Sequence, residues 1–292
     1  MNPSRVQSWM KVSLFVGLSI LVIKATAYLL SGSQALLADA AESVVHQLAV
    51  GLATYLAFLQ HKPADKNHPH GHGKFGFLSG QVEGLLILLT GLLVGASAIG
   101  HLTHPSPIHA DPLTMVLVGT AASVNGVLGF LLVRAGRREG SLLLEANGHH
   151  TMADVWTSLG ALVALVVIRA TGNPLWDAVT SLVIAALVFY TGLKITWRAV
   201  HGLTDGIDVA VYADVASALT EAATRHGTSP HEIQIRHDSV RLWVQAHLSF
   251  PPDSPLRDVH AALTRIEEQM EARFPGIVCS LHPEPSGQED DS

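Results

Sequence analysis

Six stretches in the first 200 residues, at 9–30, 36–58, 77–100, 112–134, 148–169 and 175–197, are apolar over the length of a bilayer crossing. A helix needs about 20 apolar residues to cross about 30 Å of hydrocarbon, and every backbone polar group inside it must be bonded within the segment. That leaves one architecture for this part of the chain, a bundle of six membrane-spanning helices. Only 14% of all residues are charged, against about 25% in soluble domains. The first stretch, in MNPSRVQSWMKVSLFVGLSILVIKATAYLL, outruns a signal-peptide core and lacks a small-residue cleavage site, so it reads as a span. SGSQ (31–34) and ATGNP (170–174) predict tight hairpins on one side of the membrane.

Basic residues set the orientation. Arg5, Lys11, Lys62, Lys66, Lys74, Arg134, Arg137, Arg138, Lys194 and Arg198 fall on one side, and only Arg169 falls on the other. Both termini are therefore expected in the cytoplasm. Past residue 204 the composition changes to that of a soluble domain. A helical pattern at 208–227 is followed by two alternating segments, HEIQIRH and RLWVQAHLSF, then an amphipathic helix in PLRDVHAALTRIEEQMEARF, then GIVCSLH. The order α-β-β-α-β predicts a small α+β sandwich. The expected division is a membrane domain at 1–204, a cytoplasmic domain at 205–285 and a disordered tail at 286–292.

One cysteine, Cys279, stands against 17 histidines. Any metal site must be built from imidazole and carboxylate, which suits zinc, iron(II), cobalt, nickel or manganese better than copper(I). No basic stripe points to nucleic acid.

Ionisable residues inside spans are costly to insert and are functional candidates by default. In LLADAAESVVHQLAV of the second span, Asp39, Glu42 and His46 share one helix face. In HHTMAD of the fifth, His150 and Asp154 have the same four-residue spacing, while His149 points about 100° away. Two helices, each with a carboxylate and an imidazole, supply four ligands to one tetrahedral cation: Glu42, His46, His150 and Asp154. The competing reading is plain interhelical hydrogen bonding. Asp39 reads as a helix-entry residue, and Lys24 as a side chain that snorkels toward the nearer interface. Glu83, Asn125 and Asp177 fit a polar path or packing equally well.

The loop HKPADKNHPHGHGKFG places Asp65, His68 and His72 at spacings of three and four, with His61 and His70 nearby. His231, His247 and His282 lie at the ends of the three strands expected in the C-terminal domain. For both groups a solvated surface is the competing reading. His101, His104 and His109 in the outer loop read as solvated.

The stretches SGSQALLADAAES and PADKNHPHGHGK resemble the cation diffusion facilitator family, the second more specifically because it carries PAD, NH and GHGK in register. The resemblance runs from about residue 10 to 285. It implies six spans, cytoplasmic termini and a ferredoxin-like C-terminal domain that dimerises. It places the transport site on Glu42, His46, His150 and Asp154, a loop site on Asp65, His68 and His72, and cytoplasmic sites on His231, His247, His260, His282 and Glu284. A charge interlock between protomers would join Lys74 and Asp205. The order of glutamate then histidine in span two departs from that of zinc-selective members.

The expected function is efflux of a divalent cation by proton antiport, with zinc or iron(II) leading and cobalt, cadmium or manganese open. The expected form is a homodimer in the inner membrane of a prokaryotic cell. Two rivals are a membrane metallohydrolase and a membrane-anchored metal sensor.

Overall fold

The computed structural model describes residues 3–60, 62–103, 108–139 and 142–287. Its element order is α1 (Pro3–Ser31), α2 (Gln34–Gln60), α3 (Phe75–Thr103), α4 (Pro112–Glu139), α5 (Leu142–Thr171), α6 (Leu175–Leu203), α7 (Val209–Arg225), β1 (Ser229–His237), β2 (Leu242–Phe250), α8 (Leu256–Arg273) and β3 (Val278–Pro285). Among the described residues, six helices are long and apolar enough to cross a membrane, and they are the six expected. The chain divides into two compact units, one of Met1–Tyr55 with Ser79–Trp197 and one of Leu56–Leu78 with Arg198–Ser292.

Local chemistry fixes the hairpins of the first unit. α1 and α5 each stop at a glycine in the left-handed region, Gly32 at φ 69° and Gly172 at φ 68°. The Gly32 amide donates to Tyr28 O at 2.8 Å and the Gly172 amide to Ile168 O at 2.7 Å, which satisfies a terminal carbonyl of each helix. The free amides opening α2 are met by Asp177 in the first turn of α6, which accepts from Gln34 N at 2.6 Å and Ala35 N at 3.4 Å and also holds the Ser33 hydroxyl. Asp177 thus takes the packing role rather than the path role. Its carboxyl oxygens sit where a helix N-terminus favours negative charge.

α4 and α5 lie in close contact. A Cβ on Gly148 would come within 2.6 Å of Val133 N and 2.9 Å of Gly129 O. Small residues are what let two membrane helices approach this far. This crossing sits at the start of HHTMAD and sets where His150 and Asp154 point. α3 and α6 approach through Gly84 and Gly192 in the same way.

In the second unit the sheet order is β1-β2-β3. β1 runs antiparallel to β2, and β2 parallel to β3 through the α8 crossover. The order α-β-β-α-β is the one expected. Val215, Leu219, Val244, Leu248, Ile266 and Met270 form the centre of the core under the two helices. Register brings His231 opposite His247, and His247 opposite His282, so the three histidines form one row across the sheet. A bulge between His231 and Gln234 interrupts β1, and within it Glu232 sits at φ 48°.

Candidate metal centres

His46 of α2 and His150 of α5 stack with ring centroids 4.1 Å apart and 18° between planes. His150 Nε2 lies 3.7 Å from Asp154 Oδ1, four residues on. One ligand atom from each of His46, His150 and Asp154 falls within 4.8 Å of the others. Around an ion bound at about 2.0–2.1 Å, tetrahedral ligand atoms sit about 3.4 Å apart, so the trio would draw closer on holding one. Glu42 neighbours Asp154 and His150 electrostatically but lies outside that trio of atoms. Glu42 Oε2, His46 Nδ1 and Asp154 Oδ1 are buried and have no hydrogen-bond partner among the described residues. Buried polar atoms are otherwise nearly always satisfied. A cation bound here would give Glu42 and Asp154 the partner they lack.

Beside this group lies a second polar cluster that corrects one expectation. Lys24 does not snorkel. It is 1% exposed, and its Nζ bonds Asp39 Oδ1 at 2.9 Å and Ser43 Oγ at 2.9 Å. Asp39 also accepts from Ser158 Oγ at 2.9 Å and from Thr157 Oγ1 at 3.1 Å. The physical reason is that a paired, fully hydrogen-bonded charge outdoes a long reach to the interface when a carboxylate is adjacent. Asn125 is buried and lines a small polar cavity beside His46 and Asp154, and Glu83 is an electrostatic neighbour of His150. His149 faces away, exposed, with Glu145 at 3.8 Å.

The loop cluster is centred on a carboxylate. Asp65 Oδ1 lies 3.2 Å from His68 Nδ1, Asp65 Oδ2 lies 3.5 Å from His72 Nε2, and the two rings stand 4.4 Å apart. Asp65 also accepts from the backbone amides of His68 at 2.7 Å and Asn67 at 2.9 Å. The His68 amide is the main cause that holds the exposed Asp65 carboxyl below the usual carboxylate range. His70 stands edge-on to Trp243, with centroids 5.3 Å apart. His61 and His104 lie outside the described residues, whereas His101 bonds Ser97 O at 3.0 Å and His109 is exposed.

The third cluster forms where the histidine row meets β3. Glu284 Oε1 is 2.6 Å from His247 Nδ1, and Glu284 Oε2 is 3.1 Å from His231 Nε2. His282 flanks it, its Nε2 3.9 Å from Glu284 Oε1 and its ring 5.1 Å from that of His247. His260 is exposed on α8 and is not brought into the group within the described chain. Lys74 and Asp205 pair at 3.0 Å within one chain, and Lys74 also bonds Leu203 O at 3.2 Å.

Comparison with known proteins gives the family of the chain. The model for the cation efflux transmembrane domain matches residues 10–204, and that for the cytoplasmic domain of cation efflux proteins, a dimerising domain, matches 208–286. The chain belongs to the cation efflux, or cation diffusion facilitator, family. An uncharacterized transporter of Synechocystis sp. is 30% identical over 281 residues, covering 94% of this chain and 88% of that one. Cation-efflux pump FieF of Cronobacter sakazakii is 28% identical over 270 residues, covering 91% and 88%. The FieF pump of Escherichia coli O1:K1 is 27% identical over 270 residues, with the same coverage of 91% and 88%.

Membership of the cation efflux family makes this chain a multi-pass membrane transporter of divalent metal ions and sets aside the hydrolase rival. Three elements of the centres were not legible beforehand. The Lys24–Asp39 pair joins helices whose contact no spacing rule reports. Glu232, 3.9 Å from His247 Nδ1, comes to the third cluster only through the β1 bulge. Asn147 lies one turn before His150, buried at 7% exposure, and its position in the spacing NxxHxxxD was the available signal.

Proposed function

We propose that the chain is a homodimeric antiporter that exports a divalent cation from the cytoplasm in exchange for protons. The single observation that carries this reading is the cluster of His46, His150 and Asp154 beside Glu42 inside the membrane spans, with buried atoms of Glu42, His46 and Asp154 left without a hydrogen-bond partner among the described residues. Lys24 neutralises Asp39. Glu42 and Asp154 then remain as the two negative charges that a dication would neutralise, and the two imidazoles complete a ligand set of borderline softness. Zinc and iron(II) suit that set best, with cobalt, cadmium and manganese as weaker fits.

The chemistry couples the ions. Imidazole binds a cation only when neutral and a carboxylate only when ionised, so loading the site displaces protons and protonation from the far side releases the cation. Helix movement that opens the site alternately to each side completes the cycle. The bias of the basic residues to one side supports cytoplasmic termini, and an inner (plasma) membrane is the membrane proposed. The loop group (Asp65, His68, His72) and the cytoplasmic group (His231, His247, His282, Glu284, with His260 as a further candidate) would bind the same cation and regulate transport. Lys74 and Asp205 would contribute to the dimer interlock.

The deciding experiment is cation flux in proteoliposomes under an imposed pH gradient, with zinc, iron(II), manganese and cobalt. Wild type runs beside His150→Ala and Asp154→Ala. Gradient-driven flux lost in both variants is the expected outcome. Flux that survives either substitution removes the intramembrane assignment. Absence of flux for all four cations, with metal binding confined to residues 205–292, would leave the sensor reading in its place.

A further inference from the structure

An imidazole in a ligand set needs something a carboxylate does not, a partner for its second nitrogen. That partner sets which nitrogen carries the proton, and so which one offers a lone pair to the cation. In this structure His46 Nδ1 is buried and has no hydrogen bond among the described residues. One helix over, Asn147 Oδ1 is in the same condition. The two orphaned atoms belong to neighbouring side chains, since Asn147 acts on His46 electrostatically. Its amide nitrogen is committed elsewhere, donating to Ser13 Oγ at 2.8 Å with Met10 Sδ at 3.9 Å, which leaves the oxygen as the end that can serve His46. Asn147 itself is held in α5, where Thr151 Oγ1 bonds its carbonyl at 2.8 Å.

We propose that Asn147 is the positioning residue for His46. Its side-chain oxygen accepts from His46 Nδ1–H, fixing the tautomer in which Nε2 faces the cation. The chain Ser13–Asn147–His46 then runs from α1 through α5 to α2 and orients one ligand from a different helix than its own. This rests on the transport-site reading given above. The competing source of an acceptor is a water in the small cavity lined by Ser13, Ser43, His46, Gln47 and Asp154, whose room of about 10 Å³ is near the minimum for one molecule.

The test is the dependence of flux on cation concentration in the full-length protein, with zinc as the probe, or iron(II) if zinc does not move. Asn147→Leu keeps the bulk and removes the acceptor. Asn147→Asp keeps the acceptor and removes the donor to Ser13. The expected result is a KM raised about 10- to 100-fold in Asn147→Leu, with kcat changed far less, and near-wild-type KM in Asn147→Asp. In a His46→Asp background, which has no second nitrogen to satisfy, Asn147→Leu should no longer shift KM. Asn147→Ala stands in if Asn147→Leu does not fold, judged by a monodisperse elution profile.

Unchanged KM in Asn147→Leu overturns the proposal and assigns the role to water. Asn147→Asp failing like Asn147→Leu also overturns it, because the bond to Ser13 would then be what matters. His150→Ala and Asp154→Ala are measured in parallel. If they retain flux, the transport-site reading has failed, whereas their loss of flux beside an indifferent Asn147 sinks only the positioning role.

Discussion

Cys279 opens β3 half-buried, with Glu267 and Glu271 of α8 nearby, and its thiol is pushed up to about 11, first by burial and then by those carboxylates. At pH 8 on the order of one thiol in a thousand is then ionised, against roughly a quarter for an ordinary cysteine. Higher intrinsic nucleophilicity at high pKa returns part of that loss. The expected outcome is iodoacetamide alkylation about 20-fold slower than in the urea-unfolded chain, with Glu267→Gln and Glu271→Gln each faster than wild type. Alkylation at equal rates in folded and unfolded chains would contradict this. The function follows from the same chemistry: a thiol that resists ionisation is a poor metal ligand, which leaves cation binding to imidazole and carboxylate. Asp65 shows the opposite shift. Its carboxyl is depressed, so the order it lends the loop is complete above the ordinary aspartate range near 3.9 and is lost only as pH falls through the lower folded value. A carbon-13 titration of Asp65 should place its midpoint below that range, and Asn67→Gly should move it little, because glycine keeps the backbone amide that donates to Asp65.

Among the helices, Lys24 and Asp39 tie α1, α2 and α5 together. Removing one partner of a buried pair leaves an uncompensated charge and costs about 3–5 kcal/mol, whereas removing both charges can be close to neutral. Lys24→Met should therefore lower the thermal midpoint in detergent sharply, and Lys24→Met with Asp39→Asn should recover most of the loss, since asparagine still accepts from Thr157 and Ser158. Equal damage in single and double variants would show that the pair contributes through packing alone. This pair also marks the limit of what the amino-acid sequence discloses. The six spans were legible because hydropathy is a local property, and His150 with Asp154 because a four-residue helical spacing puts both on one face. Lys24 and Asp39 are 15 residues apart on different helices, and periodicity reports a residue's face without reporting what meets it. Likewise the strands were legible from alternation, but the row of His231, His247 and His282 depends on register. The bulge that adds Glu232 depends on one extra residue in β1.

The molecule as a whole carries imidazole–carboxylate clusters in both compact units, and that duplication separates transport from regulation experimentally. A cation that binds the folded state at a concentration 100 times its Kd adds about 2.7 kcal/mol to the stability of the unit that holds it. Zinc should therefore raise the unfolding midpoint of the second unit, and His247→Ala or Glu284→Ala should abolish that rise while leaving the intramembrane group intact. The effect should fade on acidification, because the ligands bind only as neutral imidazole and ionised carboxylate. Flux then decides whether the cluster regulates or merely binds. If binding there favours the transporting state, the triple replacement of His231, His247 and His282 by alanine should weaken transport at low cation concentration most, where occupancy of the regulatory cluster limits activation, and should leave the maximal rate nearer to wild type. A differential affinity between two states is what such a shift requires, so the size of the KM change measures the coupling directly. Unchanged flux in the triple variant, beside a lost thermal shift, would make the cluster a stabiliser of the second unit with no hand in transport.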